Sequence, residues 1–318
     1  MLKSKEKYRE WCCHEDVPLF LQSWWMDAVC IKGEWDVFLY EKNGEILAAM
    51  PFHLRKKVGL KFIIEPQLTQ YSGIWIKYPE NCAFHKRALL EKEICFYFIE
   101  KLKNIGCFFY QQTFSPRFTN WQPFYWKGFR QTTRYTYRIN DLSNLDKCFE
   151  NFSYAKQKHI KKANDDLQID LSISADEFYD FHRECLGQKN ATIEYSQELL
   201  LSIYDESAKR EQGKIIALKD KNKIIHSALF VVWDKNCAYA LISAINPQFK
   251  SDGASTKMFW EAIQFVSDKT EVFDFEGSMI EGVAQSFQQF GAEQVPYFCI
   301  SKSYSRIFTV LQWIKQKN

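Results

Sequence analysis

Residues 39–50 read LYEKNGEILAAM, and residues 218–229 read LKDKNKIIHSAL. Both stretches place a Lys-Asn pair, at Lys42 and at Lys221, in front of an apolar run. The distance between the copies far exceeds the few tens of residues of a solenoid repeat. The chain is therefore expected to contain two copies of one domain.

The order of predicted elements repeats as well. Each half has helices, then a meander of three strands, a long helix, a strand, a short helix and a last strand. Lys42-Asn43-Gly44 between apolar runs is typical of a β-hairpin, and the pattern resets around residues 140–146. Since a strand–helix–strand step needs a right-handed crossover and a meander is antiparallel, we predict an α+β (mixed α/β) fold. It has two tandem domains, 1–140 and 141–318, each a mixed, mostly antiparallel sheet flanked by helices.

Three of the predicted elements bear on the site. Apolar residues at helical spacing after Pro18 predict a helix that runs to Val29. Residues 152–167 form a short basic helix, with lysines at 158, 161 and 162 on one face. Residues 294–300 form the last strand, which the repeat assigns to the second half.

Composition excludes several classes of protein. The 318 residues are 46% hydrophobic and 17% aromatic, which supplies two cores and excludes a disordered chain. The net charge of +3 is too small to indicate nucleic acid by itself. The ten cysteines show no CxxC pair, which predicts free thiols in a reducing compartment and no metal site. No signal peptide and no membrane span are recognised, so we expect a cytoplasmic protein of undetermined oligomeric state.

The loop that precedes the long helix of the second half reads NPQFKSDGAS over residues 246–255. Gly253 allows a positive φ or a close backbone approach, and Asp252 or Ser251 can cap the helix. Free N–H groups at a helix start, with Lys250 nearby, can hold a phosphate or pyrophosphate. A capped helix start without a ligand fits the same residues, and both interpretations stay open here.

Two carboxylates follow in Phe273-Asp274-Phe275-Glu276-Gly277-Ser278. Asp274 and Glu276 share one face of the predicted strand. A carboxylate at the end of a strand can act as a general base. We favour Glu276, nearest the strand end, with Asp274 as its companion; a salt-bridged or solvated pair is the alternative.

These features resemble the GNAT N-acyltransferase fold. GNAT proteins bind the acyl-CoA pyrophosphate with the pattern [RQ]-x-x-G-x-[GA], and residues 250–255 are similar to it. Gly253 fits the first glycine, Lys250 stands where Arg or Gln is usual, and Ser255 where Gly or Ala is usual. Two such halves look like the FemABX-like transferases and the BioF2-like acetyltransferase group, which residues 273–278 and the basic helix also resemble.

The resemblance implies a donor site in the second half. Acyl-CoA would be a co-substrate, with no tightly bound cofactor and no metal. The residues assigned to donor binding are Lys250, Gly253, Ala254 and Ser255. The corresponding loop of the first half, residues 77–83, lacks glycine and carries Glu80, which predicts a degenerate donor site.

The acceptor is expected in the cleft between the halves. The residues assigned to it are Tyr71, Ser72, Gln112, Ser278, Lys302 and Lys158. The same residues can also be ordinary residues of strand edges, turns and the protein surface, with no role in binding. The acceptor would be a small-molecule amine or a nucleotide-linked precursor.

The resulting prediction is an N-acyltransferase that moves an acyl group from acyl-CoA to an amine. One alternative is a Fem-like aminoacyltransferase that uses aminoacyl-tRNA and acts on a cell-wall precursor; the lysines of the basic helix fit a tRNA partner. The other alternative is a GNAT-fold binding protein without catalysis.

Overall fold

The computed structural model describes residues 2–164 and 166–305, and the predicted mixed α/β fold is confirmed. The described residues contain ten α-helices and twelve strands. Up to residue 139 the elements are, in chain order, α1 (Leu2–Cys12), α2 (Ser23–Val29), β1 (Glu34–Lys42), β2 (Glu45–Lys57), β3 (Leu60–Ile63), β4 (Trp75–Ile76), α3 (Phe84–Ile105), β5 (Phe109–Phe114), α4 (Gln122–Trp126) and β6 (Arg130–Ile139).

The elements that follow repeat this order with additions at the front. They are α5 (Leu145–Glu150), α6 (Tyr154–Asn164), β7 (Gln168–Asp170), α7 (Ala175–Gly187), α8 (Gln197–Ala208), β8 (Gly213–Lys219), β9 (Ile225–Trp233), β10 (Cys237–Ile245), α9 (Ala254–Val266), β11 (Val272–Asp274), α10 (Glu281–Gln288) and β12 (Glu293–Ser303). Two short 3-10 helices, Leu19–Leu21 and Pro247–Phe249, complete the described chain.

The described chain forms two compact units. The first unit comprises residues 2–134 and 296–305, and the second comprises the described residues of 135–295. The boundaries thus fall inside β6 and β12, whereas the sequence-based division lies at residue 140. The two divisions differ most for β12, whose residues Phe298–Ser303 pair with β5 of the first unit.

The first unit contains a sheet in the order β1-β2-β3-β5-β12. The pairs are antiparallel except β3 with β5, and β4 adds to β2. Phe98 and Ile99 of α3 are fully buried against this sheet. The predicted hairpin is confirmed, because Asn43 and Gly44 adopt the positive φ angles of 54° and 85° that join β1 to β2.

The second unit repeats the meander with β8, β9 and β10, and its strand order is β6-β11-β10-β9-β8-β7. The second hairpin, β8 with β9, is also confirmed. Only β10 and β11 are parallel in this unit. Met258 and Ile263 of α9 have no exposed surface and form the core with Phe273.

Two local predictions were incomplete. The helix expected from Pro18 to Val29 is split, because Gln22 adopts an extended backbone with ψ 144° between the 3-10 turn and α2. Helix α1 was not predicted; its Tyr8 is fully buried and donates a hydrogen bond to the carbonyl of Leu21 at 2.5 Å. One buried side chain in a polar, charged segment is too weak a periodic signal to indicate a helix.

Candidate functional site

The parallel strands of the second unit separate partway along their length. Cys237, Ala238 and Tyr239 pair with Val272, Phe273 and Asp274, and in the described chain the pairing of β10 with β11 ends there. Strand β10 continues to Ile245 on its other edge, with a bulge between Ala240 and Ile242. A strand edge without a neighbouring strand presents backbone N–H and C=O groups to an extended polar ligand. We call this opening the strand split.

Glu276 lies at the mouth of the strand split. Its backbone has φ 62°, an uncommon value for a residue with a side chain, and its N–H donates to Asp274 Oδ1 at 2.8 Å. Its Oε1 is buried and has no hydrogen-bond partner among the described residues. Burial, and to a lesser degree the charge of Asp274, raises the pKa of Glu276 well above its usual value. A carboxylate with these properties can accept a proton from a substrate.

Asp274 is fully buried and holds the turn in place. It accepts hydrogen bonds from the Thr136 hydroxyl and from Arg138 Nε at 2.7 Å, as well as from the Glu276 N–H. Both of its oxygens are therefore used inside the protein. These contacts favour a positioning role for Asp274, and the assignment of Glu276 and Asp274 as catalytic carboxylates stays a prediction.

Phe273 and Phe275 lie on the other side of this segment, as expected from strand alternation. Both are buried, and their ring centroids are 5.0 Å apart. Because their aromatic contacts anchor the backbone on both sides of Asp274, the Glu276 turn is set by the core of the second unit.

Hydrogen bonds and a ring contact made by its own side chains hold the loop before α9 in place. Asp252 Oδ1 accepts a hydrogen bond from Ala254 N at 2.7 Å, but the N-cap residue is Gly253 and has no side-chain cap, so the predicted capping by Asp252 or Ser251 is wrong. Asp252 Oδ2 is 2.5 Å from Nδ1 of His226, whose ring stacks on Phe249 at 3.6 Å. A carboxylate thus already occupies the N-terminus of α9, where an anion would be stabilised. Of the residues assigned to donor binding, Lys250 is exposed, Ser255 half-buried and Ala254 buried.

Gly253 is required by the packing of α6 against this loop. Its φ is +89°, and a Cβ at this position would lie 2.5 Å from the carbonyl oxygen of His159. The close backbone approach expected at this glycine is therefore made by the protein's own helix. The assignment of Gly253 to a pyrophosphate stays a prediction.

Replacing Gly253 by alanine is expected to destabilise the fold by about 2–4 kcal/mol, because it adds left-handed strain to a backbone clash. The free energy of unfolding by denaturant measures this loss. Gly282→Ala in α10 is the matched control, since its Cβ would meet open space; it should be neutral or stabilise by up to ~1 kcal/mol. Equal midpoints for the two variants would contradict the packing role.

Helix α6 has an exposed basic face and one buried lysine. Lys158, Lys161 and Lys162 are exposed, as predicted, while Ile160 is buried. Lys156 is buried: its Nζ donates to Ser286 Oγ at 2.9 Å, and burial lowers its pKa to about 8. The basic face is thus made by the three exposed lysines.

The first unit brings three of the predicted acceptor residues together. Tyr71, Ser72 and Gln112 are all buried, and Gln112 Nε2 donates to Ser72 Oγ at 3.0 Å. Lys302 lies elsewhere in this unit, where it donates to the carbonyl of Lys127. In the second unit Ser278 Oγ accepts from Ile280 N at 3.1 Å.

Some functional classes find no support in the described residues. No group of three His, Cys, Asp or Glu side chains in residues 2–164 and 166–305 is arranged to hold a metal ion. All ten cysteines are free. None of the described helices combines the length and apolar character needed to cross a bilayer.

Residues 154–282 match the family model described as the acetyltransferase (GNAT) domain. This range contains α6, the strand split, the Gly253 loop and Glu276. Among curated proteins the chain has no significant match.

Several solved structures share the fold. A crystal structure of FemX is similar with a TM-score of 0.69 and 11% identity, over 92% of this chain and 95% of that chain. L-PGS from Bacillus licheniformis has a TM-score of 0.53 and 12% identity, over 88% of each chain. A tandem GNAT protein from the clavulanic acid biosynthesis pathway has a TM-score of 0.51 and 9% identity, over 89% of this chain and 94% of that chain. At these identities the likeness concerns the fold alone.

Proposed function

We propose that this chain, an acyltransferase with the FemABX-like tandem GNAT fold, moves an acyl group from acyl-CoA to an amine. The donor binds in the second unit and Glu276 accepts the proton of the amine. The strand split is the observation that carries the proposal, because it combines unpaired strand edges with a buried carboxyl oxygen that has no partner among the described residues.

The first unit supports this assignment by contrast. Its parallel strands β3 and β5 pair at Phe62 with Phe109 and at Ile63 with Tyr110. Beyond that point another segment of the first unit lies against β5. Ser72 forms a β-bridge with Phe114, and the Ser72 N–H donates to the carbonyl of Thr113 at 2.6 Å. The first copy of the split is therefore occupied by protein, whereas no described strand pairs with the second, which can receive a ligand with an amide-bearing arm such as pantetheine.

The proposed reaction is direct transfer. The amine attacks the thioester carbonyl, the C–N bond forms, and a proton passes from the amine to Glu276. The C–S bond then breaks, and the departing thiolate takes up a proton. Backbone N–H groups along the free edge of β10 can stabilise the charge that develops on the carbonyl oxygen. Where the acceptor binds stays a prediction from the sequence.

Acetyl-CoA is expected to stabilise the protein and to bind once per chain. A ligand at 100 times its dissociation constant contributes ~2.7 kcal/mol, or roughly 5–10 °C in Tm for a domain of this size. Thermal unfolding measures the shift, and calorimetric titration measures the stoichiometry. Two bound molecules per chain would contradict the occupied first copy, and no shift with acetyl-CoA or a longer acyl-CoA would reject the donor.

The exposed basic face of α6 favours one second candidate, transfer from aminoacyl-tRNA. The joint substitution of Lys158, Lys161 and Lys162 by glutamine separates the two donors. If tRNA is the donor, this variant should lose at least tenfold in tRNA affinity and show a shallower salt dependence. The control replaces Lys56, Lys57 and Lys61 of the first unit by glutamine. A chain that binds neither donor would be a binding protein without catalysis.

A further inference from the structure

Three buried oxygen atoms of the first unit have no hydrogen-bond partner among the described residues. They are Glu65 Oε1, Tyr110 Oη and Gln112 Oε1. Tyr110 has no exposed surface and Gln112 only 1%, whereas Glu65 is partly exposed. Buried polar atoms are nearly always satisfied in folded proteins, by the protein or by ordered water, so each of these three oxygens can take a further polar partner.

Two of these side chains belong to one hydrogen-bonded cluster at the end of β5. Glu65 Oε2 accepts from Thr113 N at 2.6 Å, and the carbonyl of Thr113 accepts from Ser72 N at 2.6 Å. The Gln112 Nε2 donates to Ser72 Oγ at 3.0 Å and to Pro51 O at 2.9 Å. The donors of this cluster are therefore used by the protein, and the atoms left over on Glu65 and Gln112 are acceptors.

Tyr110 extends the same cluster. It lies two residues before Gln112 on β5, so both side chains point to the same face of the strand. Tyr110 also interacts electrostatically with Glu65. We call Glu65, Tyr110 and Gln112 the acceptor cluster, where acceptor refers to their hydrogen-bond acceptor oxygens and not to the acyl acceptor.

The charged and titratable groups that face Glu65 come from several elements. Arg134 of β6 favours its ionised form, while Cys30, Tyr110 and Cys299 also interact with it. Burial outweighs the hydrogen bonds from Ser72 and Thr113 and raises the pKa of Glu65 to about 8. At neutral pH most of this carboxyl is therefore protonated when no ligand is bound.

We infer that the acceptor cluster binds the protonated amino group of a primary amine, in which three N–H donors meet the three free oxygens. A primary ammonium has three donors and no acceptor, which complements the amide oxygen of Gln112, the hydroxyl oxygen of Tyr110 and the carboxylate of Glu65 once it is ionised. Partial exposure of Glu65 leaves a route for a small head group. This inference goes beyond the proposed function, because it concerns an amine site of the first unit that stands on the contacts of that unit alone.

Binding of an ammonium changes the protonation of Glu65. An ammonium that binds to protonated Glu65 displaces the carboxyl proton to solvent and forms an ion pair. Transfer of one ammonium proton back to Glu65 leaves a neutral amine and a neutral carboxylic acid, and the amine lone pair becomes available. Glu65 would thus hold the amine and share its proton.

The test uses n-butylammonium as the probe with the full chain. Calorimetric titration in phosphate and in Tris at pH 7 should give binding heats that differ with the buffer, because a proton is released. Butyltrimethylammonium has the same charge but no N–H donor, and it should bind at least tenfold more weakly. Equal affinity for the two cations, or no binding of n-butylammonium, would overturn the inference.

Two variants locate the site. Glu65→Gln should weaken the binding of n-butylammonium at least tenfold and abolish the dependence of the binding heat on the buffer. Tyr110→Phe should weaken the binding of n-butylammonium severalfold, and it provides the test if Glu65→Gln does not fold. Glu100→Gln, an exposed glutamate of α3, is the matched control and should bind as the parent does. Unchanged affinity in folded Glu65→Gln, or a crystal grown with n-butylammonium that shows only water at the three oxygens, would refute the assignment.

The two proposals fail separately. If acetyl-CoA binds and n-butylammonium does not, the amine site is wrong and the proposed donor stands. If n-butylammonium binds at Glu65 and no acyl donor binds, the amine site stands and acyl transfer is wrong.

Discussion

Replacing Glu276 by glutamine is expected to lower the rate of acyl transfer by about 10²–10⁴-fold while the protein stays folded. Glutamine keeps the size of the side chain and its hydrogen-bonding oxygen, but it cannot take a proton from the amine. The measurement is the initial rate of thioester cleavage in the presence of an amine acceptor, with circular dichroism as the check of folding.

The pH profile should change as well. Because burial raises the pKa of Glu276 well above its usual value, its basic form increases as the pH rises through that raised pKa, so the parent rate should rise with pH until this carboxyl is ionised. The rate of Glu276→Gln should not show this rise with pH. A purely structural glutamate would not produce that difference.

The matched control is Glu281→Gln, an exposed glutamate in the first turn of α10. It makes the same change of carboxyl to carboxamide within a few residues of the site, and its rate should stay within about twofold of the parent, since exposed charges a few residues away contribute little. A rate for Glu276→Gln equal to that of this control would remove Glu276 from the mechanism.

The second large effect is expected from Arg138→Met, which should cost about 3–5 kcal/mol of unfolding free energy. Arg138 Nε lies 2.7 Å from a carboxylate oxygen of Asp274, and Asp274 has no exposed side-chain surface. Removing the cation leaves a buried charge that has lost its ion pair. Denaturant unfolding followed by tryptophan fluorescence measures the change.

Two further variants test the cause of that loss. Arg183→Met removes a guanidinium from an exposed pair with Asp180 and should cost less than about 1 kcal/mol. The double variant Arg138→Met with Asp274→Asn should recover part of the stability, because it also removes the buried charge. If the double variant is no more stable than Arg138→Met, the ion pair does not explain the effect.

Local sequence signals predicted the repeated elements well. Asn43-Gly44 marks a hairpin because these residues tolerate positive φ, and the turn geometry is decided by residues that are adjacent in the chain. The contact of Asp252 Oδ1 with Ala254 N has the same local origin. The split at Gln22 was missed because periodicity alone does not register one residue with an extended backbone.

Long-range contacts account for what the sequence could not indicate in the candidate site. Thr136 and Arg138 lie more than 130 residues before Asp274, and no local pattern connects them. Their contacts favour a positioning role for one of the two predicted catalytic carboxylates and leave the other as the candidate base. Glu65 was missed for the same reason, since its partner Thr113 is 48 residues away.

The sequence by itself determined the mixed α/β fold with its repeated meander, the two hairpins and the segment that contains Glu276. These depend on hydrophobic periodicity and turn chemistry, which act over a few residues. Only the tertiary structure decided which polar atoms remain without partners, that Gly253 packs against His159, and that β12 pairs with β5. Burial and pairing are properties of contacts between distant segments, and those contacts exist only once the chain has folded.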